Sequence, residues 1–139
     1  MIVRNCSGGI VFFGENVLLI RNDKQEWGFP KGVIKNGDDT KASDLAKRRV
    51  KIEAGVDAEV IAPCGKTNYE YYSISRRKPV HNNVSWFVMK ADSSEAEHNL
   101  EAGISGAAFF PIEKALEIIT YSQDKSLVMM AYQKYKELY

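Results

Sequence analysis

Apolar positions along the chain follow two periods, and the changes between them mark the elements. Residues 2 to 6 and 9 to 13 carry β-branched and aromatic side chains and read as strand, with Gly8-Gly9 between them as a candidate bulge. Gly14-Glu15-Asn16 is turn-like and precedes a buried strand, Val17-Leu18-Leu19-Ile20-Arg21. A polar loop, Asn22 to Gln25, leads to a strand-like apolar run that opens at Trp27 and ends in Pro30. The period then changes. Ala42, Leu45, Ala46 and Val50 form one stripe at helical spacing. Asp39 or Thr40 can cap the free amides at the start of that helix, and Gly55 suits the left-handed conformation at its end.

Residues 57 to 62 return to strand. So does Lys66 to Ile74, with Tyr69, Tyr71 and Ser73 on one face and Glu70, Tyr72 and Ile74 on the other. Ser75-Arg76-Arg77-Lys78-Pro79 reads as a basic hairpin loop, and Val84 to Lys90 as the returning strand. Residues 91 to 105 are polar and contain Gly, which predicts a mobile loop. Ala107 to Phe110 is a short strand, and Pro111 opens a helix through about Thr120. Ser122 caps a last helix carrying Leu127, Met130, Ala131 and Leu138. Strands on both sides of a helix, then further strands and two helices, predict helices covering both faces of a mixed sheet.

Composition narrows the class. A chain of 139 residues fits one domain with its own core, here 1–139. A net charge of +1 gives no global field toward nucleic acid or an anionic membrane, so neither is expected as a partner. No apolar run approaches the ~20 residues that cross a bilayer. Cys6 and Cys64 lack metal-ligand spacing and read as free thiols of a reducing, cytoplasmic protein. His81 and His98 are too far apart and too isolated to argue a metal site.

The chemistry concentrates between Trp27 and Val56, WGFPKGVIKNGDDTKASDLAKRRVKIEAGV. A bend containing Gly, then a helix presenting charges three or four residues apart, is a layout used for phosphate. The stretch resembles the Nudix box: Gly, five residues, Glu, seven residues, Arg-Glu, apolar, any, Glu-Glu, any, Gly, apolar. Gly32 matches the first Gly, and Asp38 stands where the first Glu belongs. Arg48, Val50, Glu53, Gly55 and Val56 match later positions, and Trp27-Gly28-Phe29-Pro30-Lys31 is similar to the usual lead-in. The resemblance implies an α/β/α sandwich with a mixed sheet. It also implies a hydrolase of a nucleoside diphosphate-X or dinucleoside polyphosphate pyrophosphate bond, using Mg or Mn.

The departures bear on that activity. Nine residues, 39 to 47, separate Asp38 from Arg48 where the family has seven. Arg49 and Ile52 occupy two of the family's three metal-binding Glu positions, so Glu53 alone is left as metal ligand. From Thr40 to Ala54, Lys41, Lys47, Arg48, Arg49 and Lys51 stand against Asp44 and Glu53, net +3. That is a poor setting for a divalent ion, which wants several charged oxygens. Arg49 and Glu53 are four apart and share a helix face; Arg49 either neutralises Glu53 or donates to a phosphate in place of metal.

By resemblance, Asp38 and Arg48 form the pair that fastens loop to helix, with Asp39 or Asp44 as substitutes. Lys31 and Gly32 place an ammonium and a backbone group near a pyrophosphate. Glu101, in a loop with Glu95 and Glu97, is the candidate general base beside Glu53. Tyr72 is the candidate base-stacking ring, against a plain strand aromatic. Tyr132, Tyr135 and Tyr139 offer either core packing or a homodimer surface. The alternative to hydrolysis is a decayed Nudix domain that binds a nucleotide or phosphorylated small molecule as sensor or partner-binding module.

Overall fold

The computed structural model describes residues 1–35 and 40–139. Seven strands form one sheet: β1 (Ile2–Phe13), β2 (Asn16–Arg21), β3 (Trp27–Gly28), β4 (Lys31–Val33), β5 (Ala58–Ser73), β6 (Lys78–Ala91) and β7 (Gly106–Pro111). Among the described residues three α-helices accompany them, α1 (Ala42–Ala54), α2 (Ile112–Ile118) and α3 (Ser122–Leu138), with a short 3-10 turn at Leu100–Ala102. The main strand order is β3-β2-β1-β6-β5, with β4 also paired to β1 and β7 to β2. β1 and β6 run parallel from Ile2↔Val80 to Phe12↔Lys90, and the other pairs are antiparallel.

Alternation along β1 and β2 divides the core into two layers. Cys6, Ile10, Phe12, Val17 and Leu19 pack toward α2 and α3, where Leu127, Val128, Ala131 and Tyr135 close the layer. Val11, Leu18 and Ile20 face the other way, onto Ala46, Val50 and Ala54 of α1. The result is the expected α/β/α sandwich with a mixed sheet. Tyr135 is buried with its ring centroid 4.8 Å from that of Phe12, and Tyr132 lies 5.6 Å from it, so core packing accounts for both. Both cysteines are free and buried, and no helix among the described residues is long and apolar enough to cross a membrane.

Several local expectations change. Gly8-Gly9 is no bulge, since β1 is continuous through it. A Cβ on Gly8 would lie 2.5 Å from both the Pro30 carbonyl oxygen and the Trp86 ring, so the residue is set by close approach of neighbouring segments. The strands proposed at 57–62 and 66–74 are one strand, β5, with register shifts between Val60 and Ala62 and between Pro63 and Lys66. β5 ends the strand order, where a Pro and a bulge are tolerated. α1 starts at Ala42 with Lys41 at the N-cap and no side-chain cap, so Thr40 is not the cap, and Asp39 lies outside the described residues. Gly55 ends α1 at φ 69°, as expected. Tyr121 rather than Ser122 is the N-cap of α3. The segment 91–105 is tied down: the Glu97 amide donates to the Ala54 carbonyl, Asn99 Nδ2 to the Ile52 carbonyl, and the Ser105 amide to the Arg21 carbonyl.

Candidate functional site

β4 runs beside α1, and the contact between them explains Gly32. A Cβ there would lie 2.6 Å from Arg49 Cδ and 2.7 Å from Cγ, because the arginine stem crosses the strand at that point. Arg49 then turns its Nε onto Glu53 Oε2 at 2.9 Å, one helical turn on. Glu53 is only 4% exposed. Burial raises its pKa, and the Arg49 guanidinium beside it, with hydrogen bonding from the Lys31 backbone, offsets part of that rise. Ile52 is half turned to solvent, on another side of α1.

This arrangement does not fit the divalent ion that the Nudix resemblance implies. Such an ion needs several anionic oxygens around one point. α1 offers Glu53, already held by a guanidinium, while Arg49 brings positive charge and Ile52 no donor atom. Among the described residues no three His, Cys, Asp or Glu side chains group so as to hold a metal.

Glu53 also lines a cleft of about 650 Å³ between β3, β5 and the start of α3. Trp27 and Phe29 contribute from the β3 side, Tyr69 and Tyr71 from β5, and Tyr121 and Asp124 from α3. Tyr69 and Tyr71 stack with centroids 6.2 Å apart, and Lys31 Nζ lies 4.8 Å over the Tyr69 ring. Tyr121 Oη donates to Glu26, which also accepts from Asn22 Nδ2; the Tyr121 bond is the main cause that lowers the Glu26 pKa. Asp124 is pushed up by burial, with Lys31 opposing.

The predicted site residues are therefore only partly assembled. Lys31 and Glu53 share the cleft; Arg49 is paired to Glu53 but is not among the residues that line it, and Gly32 packs against the Arg49 stem. Tyr72 is 62% exposed and outside the cleft. The strand period sends its neighbours Tyr69 and Tyr71 inward instead. Glu101 is exposed and lines a separate shallow depression with Ile52 and Glu97, its amide donating to Asn99 Oδ1. Glu53 and Glu101 thus face different hollows. Arg48 is exposed on α1, and its proposed partner Asp38 lies outside the described residues. Tyr121, Asp124 and Glu26 were not anticipated. Nothing local marks them, because Tyr121 and Glu26 meet only across 95 residues of chain, and Asp124 reaches Gly28 across a similar span.

The comparisons with known proteins agree with the fold. The chain superposes on the crystal structure of a Caenorhabditis elegans Ap4A hydrolase with TM-score 0.70 and 20% identity, covering 96% of this chain and 98% of that one. The Escherichia coli dihydroneopterin triphosphate pyrophosphohydrolase gives TM-score 0.72 at 14% identity, with 92% and 95% covered. The NUDIX domain of Shewanella oneidensis NrtR, complexed with ADP ribose, gives TM-score 0.71 at 15% identity, with 94% and 87% covered. At these identities the likeness is one of fold. The sequence model of the NUDIX domain matches residues 4–131, nearly the whole chain, and the protein accordingly belongs to the NUDIX domain family.

Proposed function

We propose that this domain binds a nucleotide or another phosphorylated small molecule in the aromatic cleft, with Lys31 and Arg49 meeting the phosphates in place of a divalent ion. The Arg49–Glu53 pair, at 2.9 Å and with Glu53 nearly sealed from water, is the observation that supports this. Arg49 uses its Nε on Glu53, and a guanidinium carries four further N–H donors suited to phosphate oxygens. The ADP ribose complex of a NUDIX domain of the same fold is in keeping with such a ligand.

A second reading is hydrolysis of a nucleoside diphosphate-X or dinucleoside polyphosphate bond, with weak or altered metal dependence. One observation favours it: Glu53 is retained at the cleft, and burial raises its pKa toward the range of a proton acceptor. Under that reading Glu101 serves as the base only by moving from its own depression into the cleft.

Melting curves and product assays separate the two. Dinucleoside polyphosphates, nucleotide sugars and nucleoside triphosphates are offered with and without magnesium or manganese. Binding without turnover raises the melting temperature with nucleotide, leaves it unchanged with magnesium alone, and releases no product. The Arg49→Glu, Ile52→Glu double variant should gain a magnesium response. Turnover by the wild type that Glu53→Gln abolishes would overturn the binding reading.

A further inference from the structure

The tip of the β5–β6 hairpin takes no part in the cleft, whose lining on β5 stops at Tyr71. Ser73 and Lys78 are the last pair of the hairpin, so Ile74, Ser75, Arg76 and Arg77 form its turn, with Arg77 at φ 53°. β1 pairs with β6 only from Val80 onward, so residues 72 to 79 extend past that pairing as a two-stranded tip.

Two features coincide at this tip. The first is apolar exposure. Ile74 is 86% exposed and Tyr72 62%. Tyr72 is paired with Pro79, also exposed, and Val3 lies opposite His81 on the same face of the sheet, 62% exposed. That face is covered by α1 only further along, where a Cβ on Gly9 would lie 2.9 Å from Val50. Single exposed apolar residues are ordinary, but a group of them rimmed by polar side chains marks an interaction surface. The second feature is charge. Arg76, Arg77 and Lys78 follow one another, and all three are exposed. Glu70, on the Tyr72 face of β5, is bonded to His81 at 2.9 Å. Against a net charge of +1 for the whole chain, three adjacent cations are a strong local excess, so the small global field hides a polarised molecule.

The occupant must suit both features. A second copy of the chain would bring three cations of its own, and a few apolar side chains fall short of the roughly 20–30 residues a side of a stable interface. Single-stranded nucleic acid would use the cations, but it stacks on rings, which Ile74 and Val3 do not offer. An anionic bilayer surface fits both. Aliphatic and Tyr side chains settle at the headgroup level, and Arg and Lys beside them meet the negative headgroups.

We propose that the β5–β6 hairpin tip docks on an anionic lipid surface, with Ile74 and Tyr72 entering the headgroup layer and Arg76, Arg77 and Lys78 meeting its anionic groups. The contact is peripheral and does not depend on which ligand the cleft takes. Tyr69 and Tyr71, which wall the cleft, point to the opposite face of β5 from Tyr72.

The test is co-sedimentation of the 139-residue protein with vesicles of phosphatidylcholine alone and of equal parts phosphatidylcholine and phosphatidylserine. The mixed vesicles should bind it, the neutral ones about a hundredfold more weakly, and added salt should weaken the binding. Arg76→Gln, Arg77→Gln and Lys78→Gln together should weaken it about a hundredfold, since each cation at an anionic surface contributes about fivefold. Ile74→Ser should weaken it too, and Ile74→Trp should give a blue-shifted emission on the mixed vesicles that the wild type lacks. All of these positions are exposed, so each variant should keep the wild-type melting transition. No binding to the mixed vesicles, equal binding to both kinds, or wild-type binding by the triple variant overturns the proposal. So does a charge effect without any effect at Ile74, because the tip then touches the surface without entering it. Binding of an oligouridylate in place of vesicles would make the tip a nucleic-acid site, and a dimer that Ile74→Ser disrupts would make it a self-association surface; either result overturns the proposal.

Discussion

Arg49→Ala tests the central feature of the site. In the folded protein Arg49 Nε lies 2.9 Å from Glu53 Oε2, and the carboxylate is 4% exposed. Truncation leaves a buried carboxylate without its guanidinium. Removing one member of a fully buried pair costs about 3–5 kcal/mol, and a hydrogen bond to a charged group contributes about 1.5–3 kcal/mol. The Arg49 side chain is 29% exposed, so water recovers part of the loss, which leaves about 2 kcal/mol at pH 7. For a domain of 139 residues that lowers Tm by about 7 °C.

The pH dependence identifies the cause. Burial already raises the Glu53 pKa above 4.5, and Arg49 restrains the rise. Loss of Arg49 lifts it further. A carboxyl raised in the folded state contributes most at low pH, and that contribution is lost as pH climbs through its folded value. The gap between wild type and variant should therefore be small near pH 4 and open as pH rises to 7. Urea denaturation at a series of pH values measures it. Arg49→Ala combined with Glu53→Gln should recover most of the stability, since no charge is then left buried. A loss under about 0.5 kcal/mol at pH 7, or a gap of equal size at pH 4 and pH 7, refutes the reasoning.

Three further outcomes follow from the packing. Gly8→Ala should cost about 3 kcal/mol by urea denaturation, because its methyl would sit 2.5 Å from the Pro30 carbonyl oxygen, which cannot rotate away. Burial pushes the Cys64 thiol up to about 11, so a thiol reagent at pH 8 should label it only after unfolding, and rapid labelling of the native protein contradicts its placement. Asn99→Ala removes two hydrogen bonds, Nδ2 to the Ile52 carbonyl at 3.0 Å and the Glu101 amide to Oδ1 at 3.1 Å. Amide exchange around 99–104 should quicken by about tenfold while global stability falls by only about 1 kcal/mol; unchanged exchange argues that these bonds do not hold the segment.

Periodicity settled which segments are strand and which helix, because each face of an element is written in residues two, three or four apart. The apolar stripe Ala42, Leu45, Ala46, Val50 and the Gly55 stop placed α1, and the four-residue spacing of Arg49 and Glu53 already put them within reach of one another. The α/β/α sandwich followed from strands and helices that must bury opposite faces. Only the tertiary structure decided what distant segments bring together. Gly8 looked like a bulge because its neighbours in space, Pro30 and Trp86, are 22 and 78 residues away. The strands expected at 57 to 62 and at 66 to 74 left a gap, but an edge strand absorbs it through register shifts while the pairing with β6 continues. Tyr69 and Tyr71 rather than Tyr72 face the cleft, a choice the alternation left open until the side occupied by α3 was known. Asp124 carried no local mark, since its place in the cleft arises where the start of α3 crosses Gly28 of β3 and no residue pattern along the chain encodes that crossing.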